Sequence, residues 1–375
     1  MHKYFELQNK KIVKTKLIQD YAKQDSMILF FNAIQSDYTK KTYFNNLDRF
    51  RNHFLIRDFD SLLKFEPEKI NKMILDYVLY LKNEKNLAKT TLNNYMCTLD
   101  LFYSMNDIVI NKKKIVKLFP ESRKISGDLP YTLELSQQAL RNLQRKSKFK
   151  ALFLMMVSSG SRAGFVEYLK FRDIGEYEKF GCQSIRVYSG TKDEYLSFLN
   201  PEAVESLNEF VSEEQKVRVI NPDSFVFTRK GKSEHMLGID VSKAFRRYFK
   251  NMDFGDKLNG HNRIAIAHGL RKRWNTIAKS SNANSSVIEK LYGHSSTIQL
   301  DNRYFKPTWE TLVDEYVKFM PELIVDEAKR KDIEIKKLRE EKLAKDEAKD
   351  KEIVELKTQL QMITQHLLNS GIIAK

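Results

Sequence analysis

Two short stretches hold side chains whose types and spacing suit chemistry: "HGLRKRW" at residues 268–274 and "LYGHSSTIQLDNRYF" at residues 291–305. Between them they supply His268, Arg271, His294 and Tyr304. Read as a helix, "AHGLRKRWNTIAK" buries Ala267, Leu270, Trp274, Ile277 and Ala278 along one stripe. That leaves His268 and Arg271 one turn apart at its edge, able to reach a common target. In "LYGHSS" the glycine ends one helix and turns the chain before His294, and Ser295 can cap the next helix. A zinc site asks for three or four ligands at set spacing, and no CxxC, HxxxH or HExxH pattern occurs. A metal-dependent nuclease asks for grouped carboxylates, which the surroundings of these histidines lack. Positive side chains would have to take the metal's place around an anionic group. Two candidates lie upstream. Arg162 in "VSSGSRAGF" follows an apolar run at a helix start, where a guanidinium and orphan backbone donors can point the same way. Lys192 sits in the turn "SGTKDEY". Each feature also has a plain structural explanation: HxxR is common in helices, arginine at a helix start is commonly structural, and a turn lysine is solvated by default.

The elements that must position these groups are mainly helical. Tyr43, Leu47, Phe50 and Phe54 recur at helical spacing. So do Ile70, Ile74, Tyr77, Val78 and Leu81, then Leu92, Tyr95, Met96, Leu99 and Phe102. Residues 25–118 therefore read as a small helical domain behind an extension at 1–24. In "AKTTLNNY" the threonines can cap a helix that starts just after Lys89. "LFPESRKISGDLPYT" breaks the pattern with two prolines and a glycine, and marks a linker at 119–133. A second domain follows at 134–321, helical except for "CQSIRVYSGTKDEYLSFLN", which reads as a β-hairpin. The tail at 322–375 is charge-dense, and Ile353, Leu356, Leu360, Ile363 and Leu367 alternate three and four apart. Such a seam fits a short coiled coil as well as a single solvated helix. The expected class is mainly α with a small β-sheet.

The chain is 375 residues long and carries a formal charge of +16. The tail holds twelve Lys/Arg and twelve Asp/Glu, so the whole excess belongs to the body. A body so basic attracts a polyanion by counterion release, nucleic acid first and an anionic membrane second. No apolar run is long enough for a transmembrane helix. "MHKYFELQNKKIVKTK" lacks the apolar core of a signal peptide. Two cysteines, Cys97 and Cys182, read as free core thiols in a reducing cytosol. A cytoplasmic, DNA-associated protein is the expectation.

Taken together, Arg162, Lys192, His268, Arg271, His294 and Tyr304 resemble the signature of the tyrosine recombinases, or phage-type integrases. Their pattern is an arginine after a Thr/Ser-Gly turn, a lysine in a β-hairpin, His-x-x-Arg, a Gly-His near "LGHSS" and a tyrosine shortly beyond. The resemblance covers roughly residues 26–310. It implies an N-terminal helical DNA clamp, a catalytic domain, and work as a homo-tetramer on two double-stranded DNA duplexes. It implies that Arg162 and Arg271 neutralise a phosphate and that Tyr304 attacks it to form a 3′-phosphotyrosine. His268 is the candidate base, His294 binds the phosphate or orients the phenol, and Lys192 protonates the departing 5′-oxygen. No metal or other cofactor is implied. Lys40, Lys41, Lys89, Thr90 and Asn94, at helix starts, are placed to face phosphates or a groove, or else form a merely solvated basic face. The tail is expected to join subunits or recruit a partner. Two departures stand out. Phe165 occupies the place where relatives carry an acid, with Glu167 the nearest carboxylate, and Tyr304 lies ten residues past His294 instead of nine. Tyr292 reads as a core residue. Alternatives are a chromosome-dimer resolvase, a type IB topoisomerase, and a DNA-binding structural protein with a relic site.

Overall fold

The computed structural model describes residues 23–121, 129–229, 233–256, 262–294 and 304–369. Most of the N-terminal extension, the middle of the linker, and Ser295 with the run up to Tyr304 lie outside the described residues. The chain forms two units, Met1–Lys124 and Ile125–Lys375.

In the first unit, α1 (Asp25–Asn32), α2 (Asp37–His53), α3 (Pro67–Asn83), α4 (Lys89–Ser104) and α5 (Lys112–Val116) surround one apolar core. The three expected stripes supply it: Leu47 and Phe50 from α2, Ile70, Ile74 and Val78 from α3, and Leu92, Met96 and Phe102 from α4 are all fully buried. Helix starts follow local chemistry. Ser36 Oγ accepts the Thr39 N–H at the head of α2, and Pro67 opens α3, where a missing N–H costs nothing. The head of α4 differs from expectation. Its cap position is Ala88, whose carbonyl accepts the Thr91 and Leu92 N–H groups, so Lys89 and Thr90 lie inside the first turn and no threonine caps it.

The second unit is built around α7 (Ser147–Ser159), whose segment "ALFLMMVSS" is buried on every side, as a central helix must be. α6 (Leu133–Leu143), capped by Thr132 Oγ1, and α8 (Pro201–Gln215), capped by Asn200, pack beside it. The expected hairpin is β2 (Gln183–Val187) paired antiparallel with β3 (Tyr195–Leu199). A third strand, β1 (Ile174–Tyr177), joins the other edge of β2. Its sequence hid it, because "IGEY" is short and buries no residue fully, so it shows no alternation. After α9 (Gly238–Tyr248) come α10 (His268–Ser280), α11 (Ser285–Leu291), α12 (Trp309–Leu323) and α13 (Glu327–Asn369).

The boundary expected at residue 321 needs correction. Leu323, Ile324 and Val325 are fully buried and Ile333 nearly so, within the apolar clusters of this unit. The Glu202 carboxylate on α8 accepts the Val325 and Asp326 N–H groups at 2.7 and 3.0 Å, fixing the chain just ahead of α13. Arg273 on α10 and Arg330 on α13 add bonds to the Glu322 and Ile324 carbonyls. The solvated part of the tail therefore begins beyond Ile333. From there Ile353, Leu356, Leu360 and Ile363 are exposed.

Candidate active site

Arg271 organises the site. The sequence placed it on the helix edge; the structure buries it to 1% exposure. Its Nη1 donates to the Gly160 carbonyl at 2.7 Å and its Nη2 to the Tyr292 carbonyl at 2.6 Å. The guanidinium carbon lies 3.5 Å from the centre of the Tyr292 ring, which stacks in turn on Trp274. Gly160 is two residues before Arg162, and Tyr292 two before His294. One buried fork thus ties together the turns that carry two other candidate residues, a geometry that lysine could not supply. Burial draws the pKa of Arg271 below its ordinary value, and Arg162 nearby adds to the fall.

The Arg162 turn is specified by close packing. Gly160 ends α7 with φ +64°, a left-handed conformation suited to glycine. A Cβ there would stand 2.9 Å from the Trp274 indole. The Trp274 Nε1 donates to the Ser158 carbonyl at 2.8 Å, which locks α10 to the end of α7. Arg162 then emerges exposed as the cap of a short 3-10 turn, Ala163–Glu167, instead of an α-helix start. Phe165 is fully buried, and Glu167 accepts the Gly238 N–H at 2.7 Å, holding α9. The nearest acid is thus engaged in the scaffold.

His294 follows Gly293, which has φ +61°. Its Nδ1 lies 3.1 Å from Glu289 Oε2, and Glu289 also pairs with Lys279. This leaves Nε2 as the nitrogen for outside chemistry. Burial lowers the His294 pKa, the Arg271 charge lowers it further, and Glu289 works against both. Sequence reading missed Glu289, whose signal was a carboxylate five residues before the histidine, across the end of α11.

An open cleft of about 1120 Å³ gathers Arg162, Lys192 and His294. Tyr168, Tyr188 and Tyr195 form part of its wall, and Lys290, Lys306 and Pro307 line it too. Lys192 is exposed in the hairpin turn, which is held by the Thr191 N–H and hydroxyl, both donating to the Tyr188 carbonyl at 3.0 and 2.8 Å. His268 and Arg271 do not line the cleft. His268 is the exposed first residue of α10, one turn before Arg271. Tyr304 is 78% exposed and is not itself a lining residue, but the chain two and three residues beyond it is. Rival phenols are less accessible. Tyr292 is 4% exposed with its hydroxyl donating to the Arg271 carbonyl, and burial pushes Tyr188 up to about 12. In the first unit Lys41, Lys89, Thr90 and Asn94 are exposed and Lys40 is half-buried, in the first turns of α2 and α4. Among the described residues no helix is long and apolar enough to cross a membrane.

Residues 134–310 match the model of the phage integrase family. That stretch carries the family's domain. Similar proteins include the tyrosine recombinase XerC of Thermodesulfovibrio yellowstonii, 24% identical over 299 residues that cover 76% of this chain and 91% of that one. Among solved structures, the Tn1549 transposon integrase in complex with transposon right end DNA has a TM-score of 0.51 at 17% identity, covering 78% of this chain and 98% of the other. A lambda integrase dimer bound to a COC′ core site likewise gives 0.51 at 14% identity, covering 82% and 98%. At these identities the structural likenesses speak for a shared fold. They agree with the mostly helical architecture and small sheet of this chain.

Proposed function

We propose that this chain is an integrase that exchanges strands at a specific DNA site through a covalent 3′-phosphotyrosine, with no metal ion or other cofactor in the transfer. The supporting observation is the cleft that brings Arg162, Lys192 and His294 onto one wall system with the chain just past Tyr304. Phosphoryl transfer of this kind needs charge neutralised on the phosphate oxygens, an in-line nucleophile, and a proton for the leaving group. Arg162 contacts the phosphate, and Arg271 adds its field from behind Gly293 while bracing both turns. The Tyr304 oxygen attacks phosphorus, its proton passing to His268, and the P–O5′ bond breaks as Lys192 protonates the departing oxygen. His294, protonated and with its Nδ1–H on Glu289, donates from Nε2 to the phosphate. The new phosphodiester retains the bond energy, so a 5′-hydroxyl from a second duplex reverses the step without ATP.

On this reading the 25–118 domain and the catalytic domain clamp double-stranded DNA, with Lys40, Lys41, Lys89, Thr90 and Asn94 on the phosphates or groove. Four protomers act on two duplexes, and the solvated part of α13 adds contact between subunits. The test is a suicide duplex nicked near the recombination site, incubated without metal. A covalent adduct is expected from the unaltered chain and none from Tyr304→Phe, with DNA binding retained. Tyr168→Phe, which removes the other accessible phenol of the cleft, should keep the adduct; the reverse pattern would assign the nucleophile to Tyr168. Strand exchange between two duplexes, as opposed to relaxation of one, separates a recombinase from a topoisomerase.

A further inference from the structure

Tyr195 belongs to no part of the signature, yet it lines the cleft together with Arg162, Lys192 and His294. It opens β3 three residues after Lys192, opposite Val187 on β2, and its side chain lines the cleft. Its ring lies directly against the Gly293 turn. A Cβ on Gly293 would fall 2.3 Å from Cδ1 and 2.4 Å from Cε1 of that ring. No side chain fits between Tyr195 and the backbone that presents His294. At the far end of the ring, the Tyr195 hydroxyl is buried within reach of the Arg271 guanidinium but makes no close, well-directed hydrogen bond among the described residues. A buried hydroxyl so poorly satisfied is a net cost to folding. Phenylalanine would avoid the cost, so folding alone gives no reason for the oxygen. Arg271 lies within electrostatic reach of it, and the phenol supports the guanidinium charge that burial opposes.

We propose that Tyr195 is a positioning residue for strand cleavage: its ring sets the Gly293 turn and hence His294, and its hydroxyl sets the Arg271 guanidinium. The side chain does not meet the reacting atoms. It couples the Lys192 hairpin to His294, which lines the same cleft, and to the buried Arg271. A shift of about 1 Å at such a site can cost on the order of a hundredfold in rate. This inference rests on the phosphotyrosine reading above, and the experiment keeps the two apart.

The full-length chain and its Tyr195→Phe and Tyr195→Leu variants are compared by single-turnover cleavage of the nicked duplex and, separately, by DNA affinity. Affinity should stay within about twofold for both, since neither removes a charge. Cleavage should slow by about 3- to 10-fold in Tyr195→Phe, which keeps the wedge, and by about 100-fold in Tyr195→Leu, which loses it. This partial rescue by the ring is what a positioning role requires. Should Tyr195→Leu fail to fold, Tyr195→Phe decides alone, because it removes only the oxygen and keeps the ring against Gly293. Unaltered cleavage in the Phe variant, or a loss seen wholly as weaker DNA binding, overturns the proposal. If Tyr195 variants cleave normally while Tyr304→Phe forms no adduct, only this inference falls. Absence of adduct from the unaltered chain would overturn both.

Discussion

Arg271 donates to two carbonyls from a site almost closed to solvent, and each bond has a different consequence. Arg271→Lys keeps the charge but cannot span both acceptors. With hydrogen bonds from charged groups contributing about 1.5–3 kcal/mol, the exchange should destabilise the catalytic unit by roughly 2–4 kcal/mol, read as a lower midpoint in urea unfolding. Cleavage should fall too, because the turns of Arg162 and His294 lose their common tie. His294 gives a second prediction. Its folded pKa lies below the ordinary value of 6.5 because of burial and Arg271. The unfolded chain therefore binds the proton more readily, and the stability owed to the neutral imidazole is present above about pH 6.5. It is lost as pH falls through the folded value. Urea midpoints measured from pH 8 to 5 should drop in this window, and His294→Asn should flatten the slope. Removing the carboxylate in Glu289→Gln takes away the one influence that raises the pKa. The limb of the cleavage rate on which His294 loses its proton should then move to lower pH. These residues differ in how plainly the sequence announced them. The six signature positions stood out by their resemblance to a family pattern, and of these Arg162, Lys192 and His294 line one cleft. The burial of Arg271, the brace from Glu289 and the wedge at Tyr195 were not, because each depends on which backbone a side chain meets across the fold.

At the scale of elements, periodicity served where one face of a helix is apolar and failed where it is not. The three stripes of the first unit became its core without revision. Helix α7 was expected as helix although burial on all sides erases its stripe, whereas β1 was invisible because it contributes almost nothing to the interior. The root of α13 misled for another reason. Charge density from residue 326 onward masks Leu323, Ile324, Val325 and Ile333, which belong to the core. Burying each such side chain contributes about 1.5–3 kcal/mol, so four of them approach the whole stability of a domain, roughly 5–15 kcal/mol. A chain stopped after Pro321 should therefore fail to fold. One stopped after Glu341 should keep its unfolding midpoint, because it retains the Glu202 contacts and the bond from Lys337 to the Val317 carbonyl. Light scattering on that shorter chain then isolates what the solvated helix does. If its association on DNA matches that of the full chain, the tail does not join subunits.

At the scale of the whole molecule, charge is segregated. The body carries the entire excess of +16, while the twelve basic and twelve acidic residues of the tail cancel. Each phosphate neutralised steepens the dependence of log affinity on log salt by about 0.9. Loss of residues 342–375 should leave that slope unchanged, whereas Lys89→Ala should reduce it by about one unit. A steep change on truncation would mean that the helix itself touches DNA. The same helix has a practical consequence. Between Glu334 and Asn369 it rises roughly 54 Å along its axis, nearly twice the span of a small domain. A bead, grid or reporter protein coupled behind Lys375 hangs on a built-in tether. Immobilisation from that end should leave the cleft open to duplex, so individual cleavage events could be followed on a surface.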